Sequence, residues 1–164
     1  MAKLKEYNGR YCESEFESAF ISFLEDEGWN NLPGNRIVRD SQTTVLYTDD
    51  MEQFLSKTNS DLTADEIRQI MDSVRLVGAE SEFSTLHKVY GWMVNGIQFV
   101  PQNGLARMIA LIDFEHPESN IFRVVNQFTV EYVNNGITEN RRPDVLLFVN
   151  GLPLCVVELK NPSD

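Results

Sequence analysis

The stretch from Arg141 to Lys160 constrains the fold more than any other. Two apolar runs, Val145–Val149 and Leu154–Val157, flank Asn150-Gly151. Asn-Gly accepts positive φ at both central turn positions, so the pattern predicts a β-hairpin. Each run is apolar on both faces, which predicts two strands buried on both sides, with Cys155 inside the second. Charges close the strand ends: Asp144 opens the first, and Glu158 and Lys160 end the second. Charged groups at the ends of buried strands are costly unless they pair or hold a metal. Alternation puts Glu158 and Lys160 on one face and Leu159 on the other.

Register decides whether Asp144 joins them. A two-residue loop pairs Val149 with Leu152 and Asp144 with Val157, which turns Asp144 to the wrong face. A three-residue loop over Asn150–Leu152, or one bulge, sets Asp144 opposite Glu158. The shifted register is expected, because the chemistry needs it. Two neighbouring carboxylates bind a hard cation such as Mg²⁺, helped by water and phosphate oxygens. The cation lowers the pKa of bound water and polarises a phosphoryl oxygen. A lysine beside it positions that water or stabilises developing charge. This is equipment for hydrolysing a phosphodiester. The plainer alternative is a Glu-Lys pair decorating a strand end, with Asp144 in a Pro-Asp turn.

Pro143-Asp144, thirteen intervening residues and Glu158-Leu159-Lys160 resemble the PD-(D/E)xK nuclease superfamily. The wider string Arg141–Pro162 resembles one family within it, the restriction (R, motor) subunit of type I restriction–modification enzymes. Leu111-Ile112-Asp113-Phe114-Glu115, Asn120, Phe122 and Val125-Asn126-Gln127-Phe128 are similar to the N-terminal domain of that family, as is an early acidic helix ending in Gly28-Trp29. The resemblance implies a restriction-endonuclease-like α/β fold with a mixed, mainly antiparallel central sheet flanked by helices, truncated after the catalytic strand. It implies an endonuclease domain over residues 1–164 of a longer parent that cuts double-stranded DNA after ATP-driven translocation. Asp144 and Glu158 would ligate Mg²⁺, Lys160 would position water or stabilise charge, and Glu15 on the first helix would approach the metal. Modification and specificity subunits would be partners, the compartment cytoplasmic, and the fragment inactive by itself. A motor-independent nuclease and a non-catalytic interaction domain on the same fold are the alternatives.

The remaining features bound these expectations. No apolar run approaches the roughly 20 residues of a membrane helix, and Met1–Arg10 lacks the apolar segment of a signal peptide. Cys12 and Cys155 are far apart and read as reduced thiols. The net charge of −11 opposes autonomous DNA binding, which relies on Lys and Arg neutralising phosphates. No Gly-rich phosphate loop is present, so ATP belongs to motor domains outside this sequence. His87 and His116 offer no zinc spacing.

In chain order, Phe16, Ala19, Phe20, Phe23 and Leu24 mark an amphipathic helix over 14–27, with Ser14 and Glu17 as a capping box and Gly28 as its stop. Glu15 either serves the helix dipole and solvent or approaches the site. A strand is expected at Val45–Tyr47. Three helices follow as an insertion over about 49–95. Met51, Phe54 and Leu55 face inward in the first, Ile67, Ile70, Met71 and Val74 in the second behind a Thr63–Glu66 capping box, and Leu86, Val89, Tyr90 and Trp92 in the third. Ile97–Val100 and Met108–Phe114 read as strands, and Asp113 as the start of a turn. Phe122–Val133 alternates as one half-covered strand, turned at Asn135-Gly136 toward Arg141. Arg141 and Arg142 either meet DNA phosphate or are plain surface.

Overall fold

The computed structural model describes residues 13–39, 41–77 and 81–160, the side chain of Glu82 excepted. Met1–Arg10, Cys12 and the Asn161-Pro162 end of the resembling string lie outside the described residues. The chain is mixed α/β, with a mixed central sheet flanked by helices, and divides into two compact units.

The first unit runs up to Val45, resumes over Phe122–Phe148 and again from Pro153. Its helix α1 spans Glu13–Asp26. Gly28, at φ 91, ends it: Gly28 N–H donates to the Glu25 carbonyl and Trp29 N–H to the Leu24 carbonyl, the paired bonds of a Schellman stop. The expected capping box does not form. Ser14 lies inside the helix, where its carbonyl accepts from the Ser18 hydroxyl.

Strand β1 (Asn30–Asn31) pairs in parallel with β4 (Phe122–Asn126), and the sheet order is β1-β4-β7-β8, where β7 is Val145–Val149 and β8 Leu152–Val157. Ile21 and Leu24 of α1 are buried with Val124 and Val145, and Phe20, Trp29, Leu147 and Val157 pack around them. Each fully buried side chain of this kind contributes roughly 1.5–3 kcal/mol over leaving it in water.

The single strand expected over Phe122–Val133 is broken. Gln127 takes φ 53 and its N–H donates to the Asp144 carbonyl at 3.0 Å, which ends β4. Val124 and Val125 are both fully buried, so β4 is covered on both faces and not half-covered. After the break, β5 (Val130–Asn134) and β6 (Ile137–Arg141) form a separate antiparallel hairpin about Asn135-Gly136, both at positive φ. Phe128, fully buried, meets Phe148 edge-on at 5.5 Å.

The hairpin β7–β8 turns in two residues: Asn150 (φ 50) and Gly151 (φ 78) are the only residues between the strands. The three-residue loop is therefore absent. β7 is buried along its length, as its apolar run dictates. β8 is not: Leu154, Cys155 and Val156 are exposed, because among the described residues its only sheet neighbour is β7. Cys155 is a free, exposed thiol.

The second unit comprises Leu46–Ile121 and the hairpin tip Val149–Leu152. Helix α2 (Thr48–Thr58) buries Met51, Phe54 and Leu55, and α3 (Ala64–Arg75) buries Ile67, Ile70, Met71 and Val74. The Thr63–Glu66 capping box is reciprocal: Glu66 N–H donates to Thr63 Oγ1, and Thr63 N–H to Glu66 Oε2. Helix α4 (Glu82–Asn95) forms where expected, but Leu86 and Tyr90 are exposed while Val89 and Trp92 are half-buried. Apolar residues occur on more than one face of α4, so periodicity alone could not choose between them.

Strand β2 (Ile97–Phe99) pairs antiparallel with β3 (Arg107–Ile109), shorter than the expected Met108–Phe114. Leu111 and Ile112 are buried without a ladder, and Asp113 does start a turn, its Oδ1 accepting from the N–H groups of Glu115 and His116. Val45–Tyr47 forms no strand; Tyr47 N–H donates instead to the Gly151 carbonyl. Asn150, 1% exposed, joins this unit by its side chain. Its Nδ2 donates to the Leu111 carbonyl and to Asn120 Oδ1, and its Oδ1 accepts from Ile121 N–H. Among the described residues, no helix is long and apolar enough to cross a membrane.

Candidate functional site

Asp144 sits in the bend immediately before β7, half-buried, and is held at both of its ends. Its carbonyl accepts Gln127 N–H, and its carboxylate Oδ2 accepts Leu159 N–H at 2.7 Å. The second bond carries the side chain across to the residue between Glu158 and Lys160. It leaves Oδ1 outside that bond. Glu158 and Lys160 follow β8 and are exposed.

A two-residue turn without a bulge sets Val149 opposite Leu152 and Val145 opposite Val156. Val157, half-buried, packs against the cluster of Ile21, Leu24, Val124 and Val145.

A second acid of the first helix, Glu17, reaches β4. Glu17 is four residues before Ile21 and seven before Leu24, so it shares their face. Its Oε1 accepts from Asn126 Nδ2 at 2.6 Å, at the end of β4. Glu15 lies about 200° around the helix from Glu17. It is half-buried, and its Oε2, itself buried, has no hydrogen-bond partner among the described residues. The spacing to Ile21 and Leu24 puts Glu17 on the buried face of the helix but does not name its partner.

Arg141, the last residue of β6, lies over the Tyr132 ring, its guanidinium carbon 5.9 Å from the ring centre. Hydrogen bonding with Tyr132 holds its pKa above the ordinary value, with smaller support from Glu139 and Glu158. Tyr132 donates to Glu139 Oε2 at 2.6 Å, and that bond holds the Glu139 carboxyl below the usual range. Arg142 is exposed and lines a polar cavity of about 390 Å³ with Gly34, Arg39, Gln42, Asn126 and Gln127. Arg39, which the sequence did not single out, lies 3.9 Å over the Phe128 ring and donates to the carbonyls of Thr44 and Thr129. Burial lowers its pKa. His87 and His116 are exposed, and His116 faces Asp113 at 3.7 Å.

Among the described residues, no three His, Cys, Asp or Glu side chains converge as a metal cage. Asp144 and Glu158 are hard oxygen donors; Asp144 is half-buried just before β7, and Glu158 and Lys160 are exposed just past β8. A mixed α/β domain with these charges at the strand ends of one hairpin defines the class. The sequence model of the family described as the type I restriction enzyme R protein N terminus matches residues 10–164, and the chain belongs to that family.

Individual relatives agree. The chain is 30% identical over 157 residues to a putative type I restriction enzyme MjaIXP endonuclease subunit of Methanocaldococcus jannaschii, covering 90% of this chain and 15% of the relative. It is 30% identical over 164 residues to the type I restriction enzyme HindI endonuclease subunit of Haemophilus influenzae, covering 92% and 15%. It is 26% identical over 148 residues to the type I restriction enzyme EcoprrI endonuclease subunit of Escherichia coli, covering 90% and 44%. The chain thus spans a small part of the length of the first two relatives.

Proposed function

We propose that this domain supplies the DNA-cutting centre of a type I restriction enzyme, hydrolysing phosphodiesters of double-stranded DNA with Mg²⁺. The observation that carries the reading is the 2.7 Å bond from Leu159 N–H to Asp144 Oδ2, which draws Asp144 to the Glu158–Lys160 segment. Asp144 and Glu158 are the oxygen donors that would hold the cation, with water and phosphate oxygens completing its shell. When bound, the cation supplies Lewis-acid polarisation and a more acidic water. Lys160 orients the attacking water or stabilises charge on the phosphate. Arg141 and Arg142 contact neighbouring phosphates. Glu15 is the α1 acid that would approach the cation, and Glu17 meets the end of β4.

The parent chain would add ATP-driven motor domains and work in the cytoplasm with modification and specificity subunits. In the full-length enzyme, Asp144→Ala or Lys160→Ala is expected to abolish DNA cleavage while ATP hydrolysis continues. Cleavage at the unmodified rate by either variant rejects the proposal.

A further inference from the structure

Asn126 closes β4, and Gln127 then turns the chain at φ 53. Left-handed backbone crowds the Cβ of any residue but glycine against the following carbonyl, so the surroundings must hold this elbow in place. Three segments do so. From α1, Glu17 accepts Asn126 Nδ2–H at 2.6 Å. From the loop after β1, Gly34 approaches so closely that a Cβ there would fall 2.5 Å from the Asn126 carbonyl oxygen and 2.9 Å from that of Gln127. From the bend before β7, the Asp144 carbonyl takes Gln127 N–H at 3.0 Å. Asp144 then takes Leu159 N–H on its carboxylate. The contacts form one unbroken series from α1 to the segment between Glu158 and Lys160.

We propose that Glu17 is a positioning residue for Asp144, acting through the Asn126–Gln127 elbow. The inference rests on the nuclease reading above and extends it to a residue that does not touch the reacting atoms. What Asn126 requires of Glu17 is an acceptor oxygen; the negative charge is incidental. Moving the elbow moves the Asp144 carbonyl, and with it the carboxylate. Small displacements of a group that must hold a cation beside a phosphate are expensive in rate, about 10–100-fold.

The test uses the full-length chain, with two readouts for each variant: DNA cleavage, and amide hydrogen exchange in peptides containing Gln127 and Leu159. Glu17→Ala should slow cleavage by about tenfold or more and speed exchange at both amides, with ATP hydrolysis and exchange within β7 unchanged. Gly34→Ala, which pushes on the elbow from another segment, should do the same. Asn126→Asp sets one carboxylate against another and should also fail. The double variant Glu17→Gln/Asn126→Asp reverses donor and acceptor, and should recover both cleavage and protection.

Wild-type behaviour of Glu17→Ala in both readouts overturns the proposal, as does a double variant no better than Asn126→Asp alone. Should Glu17→Ala fail to fold, the reversed pair decides. Should the wild type itself not cut DNA, the nuclease reading fails, and the exchange measurements alone decide whether Glu17 holds Asp144.

Discussion

Asn150 is a turn residue by sequence and a buried junction in the structure. Its positive φ suits the two-residue turn, while its amide serves Leu111, Asn120 and Ile121. Asn150→Ala takes the side-chain partner from the Leu111 carbonyl and Ile121 N–H in a buried place and strains the turn. We expect a loss of about 2–4 kcal/mol, read as a shift of the urea midpoint. Gly151 beside it has no room for a side chain, since a Cβ would collide with the Tyr47 carbonyl. At Asp144 the structural and chemical roles separate. Asn in its place can still accept Leu159 N–H but brings no charge. Asp144→Asn is therefore expected to keep the Leu159 amide protected from exchange and to lose DNA cleavage.

At the scale of elements, the Thr63–Glu66 box fixes the start of α3, and Glu66 Oε1 also takes Gln102 N–H at 2.7 Å. Thr63→Ala should cost about 1 kcal/mol of stability. Backbone hydrogen bonds from Thr63 and Gln102 hold the Glu66 carboxyl below its usual range. Its contribution is therefore fully present above the unfolded carboxylate pKa of about 4.3 and lost as the pH falls below it. Protection of the Thr63 and Gln102 amides, relative to their intrinsic exchange rates, should fall through that acid window and not above it. This box was readable because its residues are three apart and local. The hairpin was readable for the same reason, as were the buried faces of α2 and α3. The break at Gln127 was not, because it depends on a carbonyl seventeen residues away (144 − 127). Nor was the exposure of β8, which depends on having one sheet neighbour. Asp144, Glu158 and Lys160 are legible as charges at the strand ends of the hairpin. Glu17 reads locally as a cap, and only its distant partner Asn126 reveals otherwise.

The whole molecule carries a net charge of −11, which sets its long-range behaviour toward a polyanion. Few basic groups are available to displace counterions from phosphate. The domain by itself should bind duplex DNA more weakly than about 10⁻⁴ M at physiological salt, the weak end of non-specific binding. Fluorescence anisotropy without divalent cation checks this, and micromolar affinity would contradict it. A last consequence concerns β8, whose outer edge has no strand beside it among the described residues, with Leu154 and Val156 open to solvent. Unpaired backbone beside bare aliphatic side chains is a template for self-association. At high concentration, copies of the domain should stick edge to edge, and Val156→Lys should keep them apart in light scattering.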